Sequence, residues 1–420
     1  MNSYEHSVLL DRQKCTGCTT CLHHCPTEAI RIVDGHAVIN QDRCIDCGEC
    51  IRMCPHNAKR AVTDKLEEFF GRFKFAIALP APSLYGQFNN MDDVDYILDG
   101  LLKIGFDDVF EVAAAAELVS GYTRKYLKMD EVPKPLISSA CPVVLRYISL
   151  MYPSLEAHVI HMLPPMEVAA DLARKRAKEK HPELKDEEIG ICFISPCAAK
   201  ASYVRNNFGG YRSKVDSVVA ISDVYFRLLD VMKRGDCIQS LSDAGSNGIG
   251  WGQTGGEATA ILNEEYLAAD GIENVKKVLE EIENGNIQNL KFVELNACPG
   301  GCVGGVLTVT NPFVAKARLR TISRCLPAFL NFPDPNEEFI PENFLFEEMP
   351  SYDPVSRLSS NFLESMRMMQ EIQRIRESLP GIDCGACGAP NCRANAEDAV
   401  RAGKKSVYCP ILAVEGGKLE

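Results

Sequence analysis

The hydrophobic pattern changes character along the chain. Near the N-terminus, Ala29-Ile30-Arg31-Ile32-Val33-Asp34-Gly35-His36-Ala37-Val38-Ile39 alternates around an Asp-Gly pair, which predicts a two-stranded hairpin. Further on, short and nearly all-apolar runs recur at 73–80, 135–139, 189–194, 215–221 and 291–295, the pattern of strands buried on both faces. Helical stretches lie between them. Met91 to Ile104 carries Asp92 and Asp93 in its first turn and Gly105 past its end, Phe110 to Tyr126 is alanine-rich, and Ser222 is placed to cap a helix running to about Lys233. Strand, helix, strand alternation predicts an open α/β sheet with its chemistry at the strand ends. We read it as two lobes, the first built on the runs at 73–80 and 135–139, the second repeating the plan with 189–194 and 215–221. Residues 331–353 are proline-rich and acidic without periodicity and read as a linker or surface strap. Val355, Leu358, Phe362, Met366, Met369, Ile372, Ile375 and Leu379 then recur at three and four, predicting a helix from Asp353-Pro354 to Pro380.

Cysteine changes the picture most, with nineteen in 420 residues, most of them in short repeated spacings that read as metal ligands and not as disulfides. Cys15-x2-Cys18-x2-Cys21-x3-Cys25-Pro26 is repeated as Cys44-x2-Cys47-x2-Cys50-x3-Cys54-Pro55. This is similar to the two-cluster bacterial ferredoxin pattern, in which the fourth cysteine of each run ligates the other cluster. The resemblance implies one [4Fe-4S] cluster on Cys15, Cys18, Cys21 and Cys54 and another on Cys44, Cys47, Cys50 and Cys25. His23 and His24, inside the loop, read as solvated. Cys384, Cys387, Cys392 and Cys409 resemble a small C-terminal [4Fe-4S] domain of anaerobic redox proteins, with a zinc knuckle as the alternative.

Three more cysteine contexts follow strands: Ser138-Ser139-Ala140-Cys141-Pro142, Ser195-Pro196-Cys197-Ala198-Ala199-Lys200, and Ala297-Cys298-Pro299-Gly300-Gly301-Cys302-Val303-Gly304-Gly305. In this order they resemble the three signature motifs of the iron-only, or [FeFe], hydrogenases. The resemblance implies that Cys141, Cys197, Cys298 and Cys302 hold a [4Fe-4S] cubane, that Cys302 bridges it to a two-iron centre carrying CO, cyanide and a dithiolate, and that Lys200 hydrogen-bonds a cyanide. Pro82 and Ser83 resemble the family's turn beside that H-cluster, and the glycines of 248–256 resemble its glycine-rich stretch, without the Lys-Ser/Thr of a nucleotide loop. The implied organisation is a ferredoxin-like domain at 1–63, a two-lobed hydrogenase domain at 64–345, a linker helix at 346–379 and a C-terminal cluster domain at 380–420, an α/β and α+β multidomain fold. Three accessory [4Fe-4S] clusters and the H-cluster are its expected cofactors, with Cys192, Cys237 and Cys325 left as buried thiols.

The sequence departs from the family where protons move. Ala140 stands where fast enzymes carry a proton-transfer cysteine, Tyr203 where a glutamate is expected, and the segment around Tyr122 and Thr123 where a glutamate pair is expected; Ser195 and Asn296 replace two methionines beside the ligands. Lys200, Ala140, Ser195 and Asn296 are thus the residues expected to set reactivity. Ligands kept and a relay removed resemble the sensory members of the family, with H₂ and protons as substrates and a ferredoxin or a signalling kinase or phosphatase as redox partner. The alternatives are a metabolic, ferredoxin-linked hydrogenase with another proton route, or a non-catalytic hydrogenase-like iron-sulfur protein. A net charge of −12 argues against nucleic acid and anionic membranes. With no spanning apolar stretch and no export signal at Met1 to His6, the expected location is the cytoplasm. A homodimer is compatible with the sequence.

Overall fold

The structure, a computed structural model, describes residues 4–89, 93–129, 132–206, 211–232, 240–337, 339–350 and 357–415. The N-terminal region is built from two antiparallel pairs. β1 (Val8–Leu10) lies against β4 (Lys59–Ala61), and the predicted hairpin forms as β2 (Ile30–Val33) and β3 (His36–Ile39) around the Asp34-Gly35 turn. A small core of Val8, Leu22, Ile30 and Ala37 closes around the cysteines.

The large domain holds two parallel sheets. β5 (Phe75–Pro80), β6 (Asp108–Val109), β8 (Ile189–Ser195) and β9 (Ser217–Ala220) form one, in the order β6-β5-β8-β9. β7 (Leu136–Ile137), β10 (Tyr266–Asp270) and β11 (Phe292–Asn296) form the other, in the order β10-β11-β7. This corrects the lobe assignment made from the sequence. β8, buried at every position, pairs along β5 from Phe75↔Ile189 to Pro80↔Ile194, whereas β7 leaves its sequence neighbour and joins β11. Local pattern reports that a strand is buried on both faces; it does not report its partner, which long-range packing decides.

Element ends also moved. The predicted strand at 135–139 is only two residues long, and helices occupy Asp95–Lys103, Val112–Tyr126 and Ile221–Met232, starting later than the sequence suggests in the first two cases. Ser222 lies inside its helix instead of capping it, its N–H donating to the Leu307 carbonyl. The last helix before the C-terminal domain spans Phe362–Glu377, shorter than predicted, with Asn361 capping it through the Leu363 and Glu364 amides; Asp353 to Val355 lie outside the described residues. The segment before it is a strap. Phe344 and Phe346 are buried in the main core, and a bridge joins Leu345 to Met162. Among the described residues no helix is long and apolar enough to cross a membrane.

Candidate metal centre

The carboxyl ends of four strands, two from each sheet, open onto one cavity, about 840 Å³ with the space at its mouth that is open to solvent. β5 delivers Pro82 and Ser83; β7, three residues before it, delivers Ala140 and Cys141; β8 delivers Cys197; β11 delivers Asn296, Cys298 and Cys302. Cys141 and Cys197 each sit at the N-terminal boundary of a helix, Pro142–Met151 and Ala198–Arg205, where the helix dipole favours a thiolate. The wall opposite is bare backbone. Thr254 donates to the Gly300 carbonyl and Val303 to that of Gly252, and Gly301 adopts φ +90°, where a Cβ would come within 2.5 Å of the Thr254 nitrogen. It is Gly301 that permits the close approach of the Cys298–Gly305 turn to the 252–254 backbone, while at Gly252 a Cβ would stand 3.0 Å from the Ser83 nitrogen.

The chemistry of this donor set calls for a cation. Burial pushes the Cys197 thiol up to about 12, with Cys141 adding to the effect and Lys200 opposing it; Cys298 and Cys302 are raised by burial and by neighbouring thiols. These three thiols are held neutral by burial and crowding, and a bound metal cluster removes that penalty. The Ser83 hydroxyl is fully buried on the cavity wall and has no hydrogen-bond partner among the described residues. The residues present thus fit an iron-sulfur group in size, donor type and unsatisfied polarity.

The other expected residues divide. Lys200 lines the cavity with its ammonium 5.3 Å from the Phe193 ring centroid, and Ala140 forms part of the wall. Ser195 does not line the cavity; it is buried behind it and its hydroxyl accepts from the Cys197 amide at 3.0 Å, fixing the ligand's backbone. Tyr203 lies in the main core, and Tyr122 turns its hydroxyl to Glu337 of the strap and its ring to Phe344, 4.5 Å away. Neither lines the cavity.

Sequence reasoning missed Glu257 and Glu294, which both line it. Glu294 accepts from the amides of Gly255 and Ala258, each at 2.9 Å, and from Asn296 Nδ2 at 2.7 Å. Burial raises its carboxyl, and these three donors oppose that by favouring the carboxylate. Among the described residues Glu257 accepts from the Ser138 hydroxyl at 2.6 Å, and burial with Glu294 beside it holds its carboxyl well above the usual range. Ser138 in turn accepts from the Ala140 amide at 3.1 Å. The signal was available in the sequence: an acid inside the otherwise apolar strand Phe292-Val293-Glu294-Leu295, which burial makes costly without a purpose.

Three smaller cavities collect the remaining cysteine sets. One is lined by Cys15, Cys18, Cys21 and Cys54, one by Cys25, Cys44, Cys47 and Cys50, and one by Cys384, Cys387, Cys392 and Cys409. Lys59 is buried between the first two; burial raises the Cys21 and Cys50 thiols and the Lys59 charge opposes it at both. The second site abuts the central one. A Cβ on Gly48 would meet Val306 at 2.7 Å, and Arg52, beside Cys298, donates to the Gly304 carbonyl at 2.8 Å. His23 and His24 are exposed. Of the cysteines expected to be buried thiols, Cys192 is buried within β8, Cys237 lies outside the described residues, and Cys325 is exposed just past the helix Pro312–Ser323, where the chain turns away from the core.

Thiols gathered at strand ends around a glycine wall, with two ferredoxin-type sites beside them, define the class: an iron-sulfur protein arranged for electron transfer. Comparison with known proteins is more specific. A family model described as the iron-only hydrogenase large subunit, C-terminal domain, matches residues 74–266 and 256–306, more than half of the chain; a 4Fe-4S dicluster domain matches 7–55 and an Fe-S cluster family 379–411. The chain belongs to the iron-only, or [FeFe], hydrogenase family. It is 26% identical to the periplasmic [Fe] hydrogenase large subunit of Nitratidesulfovibrio vulgaris, over 76% of this chain and 90% of that one. It is 23% identical to iron hydrogenase 1 of Clostridium pasteurianum, over 55% of this chain and 50% of that one, so it spans half of that relative. A solved [FeFe]-hydrogenase structure, concerned with oxygen inactivation through the two-iron subcluster, is similar with a TM-score of 0.50 at 18% identity, covering 67% of this chain and 95% of that one. That last likeness speaks for the fold alone.

Proposed function

We propose that the chain binds and reversibly activates H₂ at an H-cluster held by Cys141, Cys197, Cys298 and Cys302, turns over slowly, and serves as a sensor of H₂. The observation that carries this reading is the cavity itself, where four thiols and Lys200 converge while the position next to Cys141 is the inert Ala140. An H-cluster held there would supply the site at which H₂ is cleaved or formed, and the three accessory cysteine sets would hold the [4Fe-4S] clusters that exchange its electrons. Lys200 fixes a positive charge between Cys197, Cys302 and Glu257, suited to an anionic ligand such as cyanide. Ser83 offers a hydroxyl from the opposite wall.

Protons need groups that this chain places elsewhere than at Ala140. Glu257, kept protonated by burial and by Glu294, holds a proton at the cavity edge near neutral pH. Glu294, whose carboxyl burial also raises although three donors favour its charged form, is the next acceptor, and the Lys316 charge lies beyond it. A relay of buried carboxyls with unequal proton affinity delivers protons singly. It also supports the second reading, a metabolic, ferredoxin-linked hydrogenase using this route. The separating experiment is infrared spectroscopy with H₂ turnover on anaerobically matured protein. The sensory reading expects CO and cyanide bands, H₂-dependent band changes and slow turnover. Turnover as fast as a metabolic enzyme selects the second reading; no uptake of the two-iron centre removes both.

A further inference from the structure

The C-terminal cysteine site is far from the others in sequence, yet it is seated on the ferredoxin-like domain. Gly388, at φ +87°, lies so close to the hairpin that a Cβ would stand 2.3 Å from the Ile32 carbonyl, while its own carbonyl accepts the Ile32 amide at 2.8 Å. Gly385 lines the C-terminal cavity, and a Cβ there would stand 2.8 Å from the His23 ring. Polar contacts lock the seat from the side. Arg31 grips Asp398 with two bonds at 2.5 and 3.0 Å, Arg43 meets Glu397 at 2.5 Å, and Asn391 donates to Glu28 at 2.6 Å. The Arg43–Glu397 pair is mostly shielded, with 13% and 14% of the side chains exposed, so solvent screens it little. Ile372 and Ile375 brace the helix that carries Glu397 and Asp398 from behind, against Ala396 and Ala399.

The two closest approaches on the ferredoxin side, at the Ile32 backbone and the His23 ring, both belong to one site. Ile32 lines the cavity of Cys15, Cys18, Cys21 and Cys54, and His23 follows Cys21 by two residues within the same short helix. We propose that the C-terminal cysteine site is the outer terminus of the electron line, exchanging electrons with the Cys15, Cys18, Cys21 and Cys54 site through the contact of Gly385 and Gly388 with His23 and Ile32. The order then runs from the central cavity to the Cys25, Cys44, Cys47 and Cys50 site, to the site containing Cys21, and on to the exposed Cys384. Each H₂ oxidised gives two protons and two electrons; the electrons pass singly along the line, reducing the C-terminal cluster, which a one-electron acceptor outside the protein reoxidises. The proposal rests on the cluster-binding reading above.

The test uses the full-length, cluster-loaded protein reduced chemically, so that it does not depend on H₂ activity. Low-temperature electron paramagnetic resonance is expected to show the C-terminal cluster broadened by magnetic interaction with a neighbouring reduced cluster. The double substitution Glu397→Arg/Asp398→Arg is expected to abolish the broadening while iron per chain stays at the wild-type value. A sharp, non-interacting C-terminal signal in the wild type at full iron content overturns the proposal, as does broadening that survives the double substitution together with release of the seat, read by faster amide exchange at Ile32. A protein that loads its other sites but no iron-sulfur cluster at Cys384, Cys387, Cys392 and Cys409 also overturns it, and locates the failure in the cluster reading.

Discussion

Two sets of residues around the central cavity differ in what they can do with a proton. At the positions of the family's relay, Ala140 has no ionisable group, Tyr203 is sealed in the core away from the cavity and Tyr122 is held by Glu337, its hydroxyl made a weaker acid by burial and by that carboxylate. Glu257 and Glu294, which line the cavity, share a buried pocket with unequal hydrogen bonding and therefore unequal proton affinity. The relay positions are proton-inert, and the two glutamates are acid-base groups. Loss of the family's relay does not leave the cavity without such groups: Glu257 is joined to the Ala140 amide through the Ser138 hydroxyl.

The comparison presupposes a cluster in the cavity, so the largest effect comes from removing its hold. Cys302→Ser is expected to abolish the CO and cyanide infrared bands completely while the ferredoxin-type sites keep their iron; surviving bands would show that Cys302 is not the link between cubane and two-iron centre. A smaller effect sharpens the difference between the two glutamates. Their folded pKa values are raised, so each adds stability at pH below its unfolded value, about 4.3, and that stability is lost as pH rises through the folded value. Glu257→Gln removes its share of this loss. Thermal denaturation between pH 5 and 9 should therefore show a flatter decline for the variant, with a gain at alkaline pH of about 1.4 kcal/mol for each unit by which Glu257 is displaced. Parallel curves for the two proteins would mean that Glu257 is not neutral in the fold. The smallest effect is expected from Ala140→Cys, which places a thiol beside Cys141 where neither Tyr203 nor Tyr122 continues the family's relay. Its H₂ turnover should rise less than about 10-fold, below the ~10²–10⁴-fold typical of a working general acid-base group; a larger rise would show that the outer path is intact.

What was legible in the sequence follows the range of the interactions. The ferredoxin-like repeat and its hairpin are local, and the Asp34-Gly35 turn fixes the register that the structure displays. The buried strands were visible as apolar runs, but the pairing of β8 with β5 and of β7 with β11 joins segments more than a hundred residues apart, and no local pattern encodes it. The four central cysteines could be grouped only through the family motifs. Ser195 was placed beside the cavity because it neighbours a ligand, whereas strand alternation turns it behind the wall. Glu257 and Glu294 escaped because no spacing rule joins them: one begins a short helix after Gly255-Gly256, the other interrupts an apolar strand.

The central claim is that protons reach this cavity through Glu257. Its most direct test is H₂ oxidation and evolution by wild type and Glu257→Gln, at matched intensity of the CO and cyanide bands. Glutamine keeps the size and the bond to Ser138 but cannot release a proton, so turnover should fall ~10²-fold or more with the infrared spectrum of the resting state retained. Equal turnover in the two proteins, with equal bands, would contradict the account.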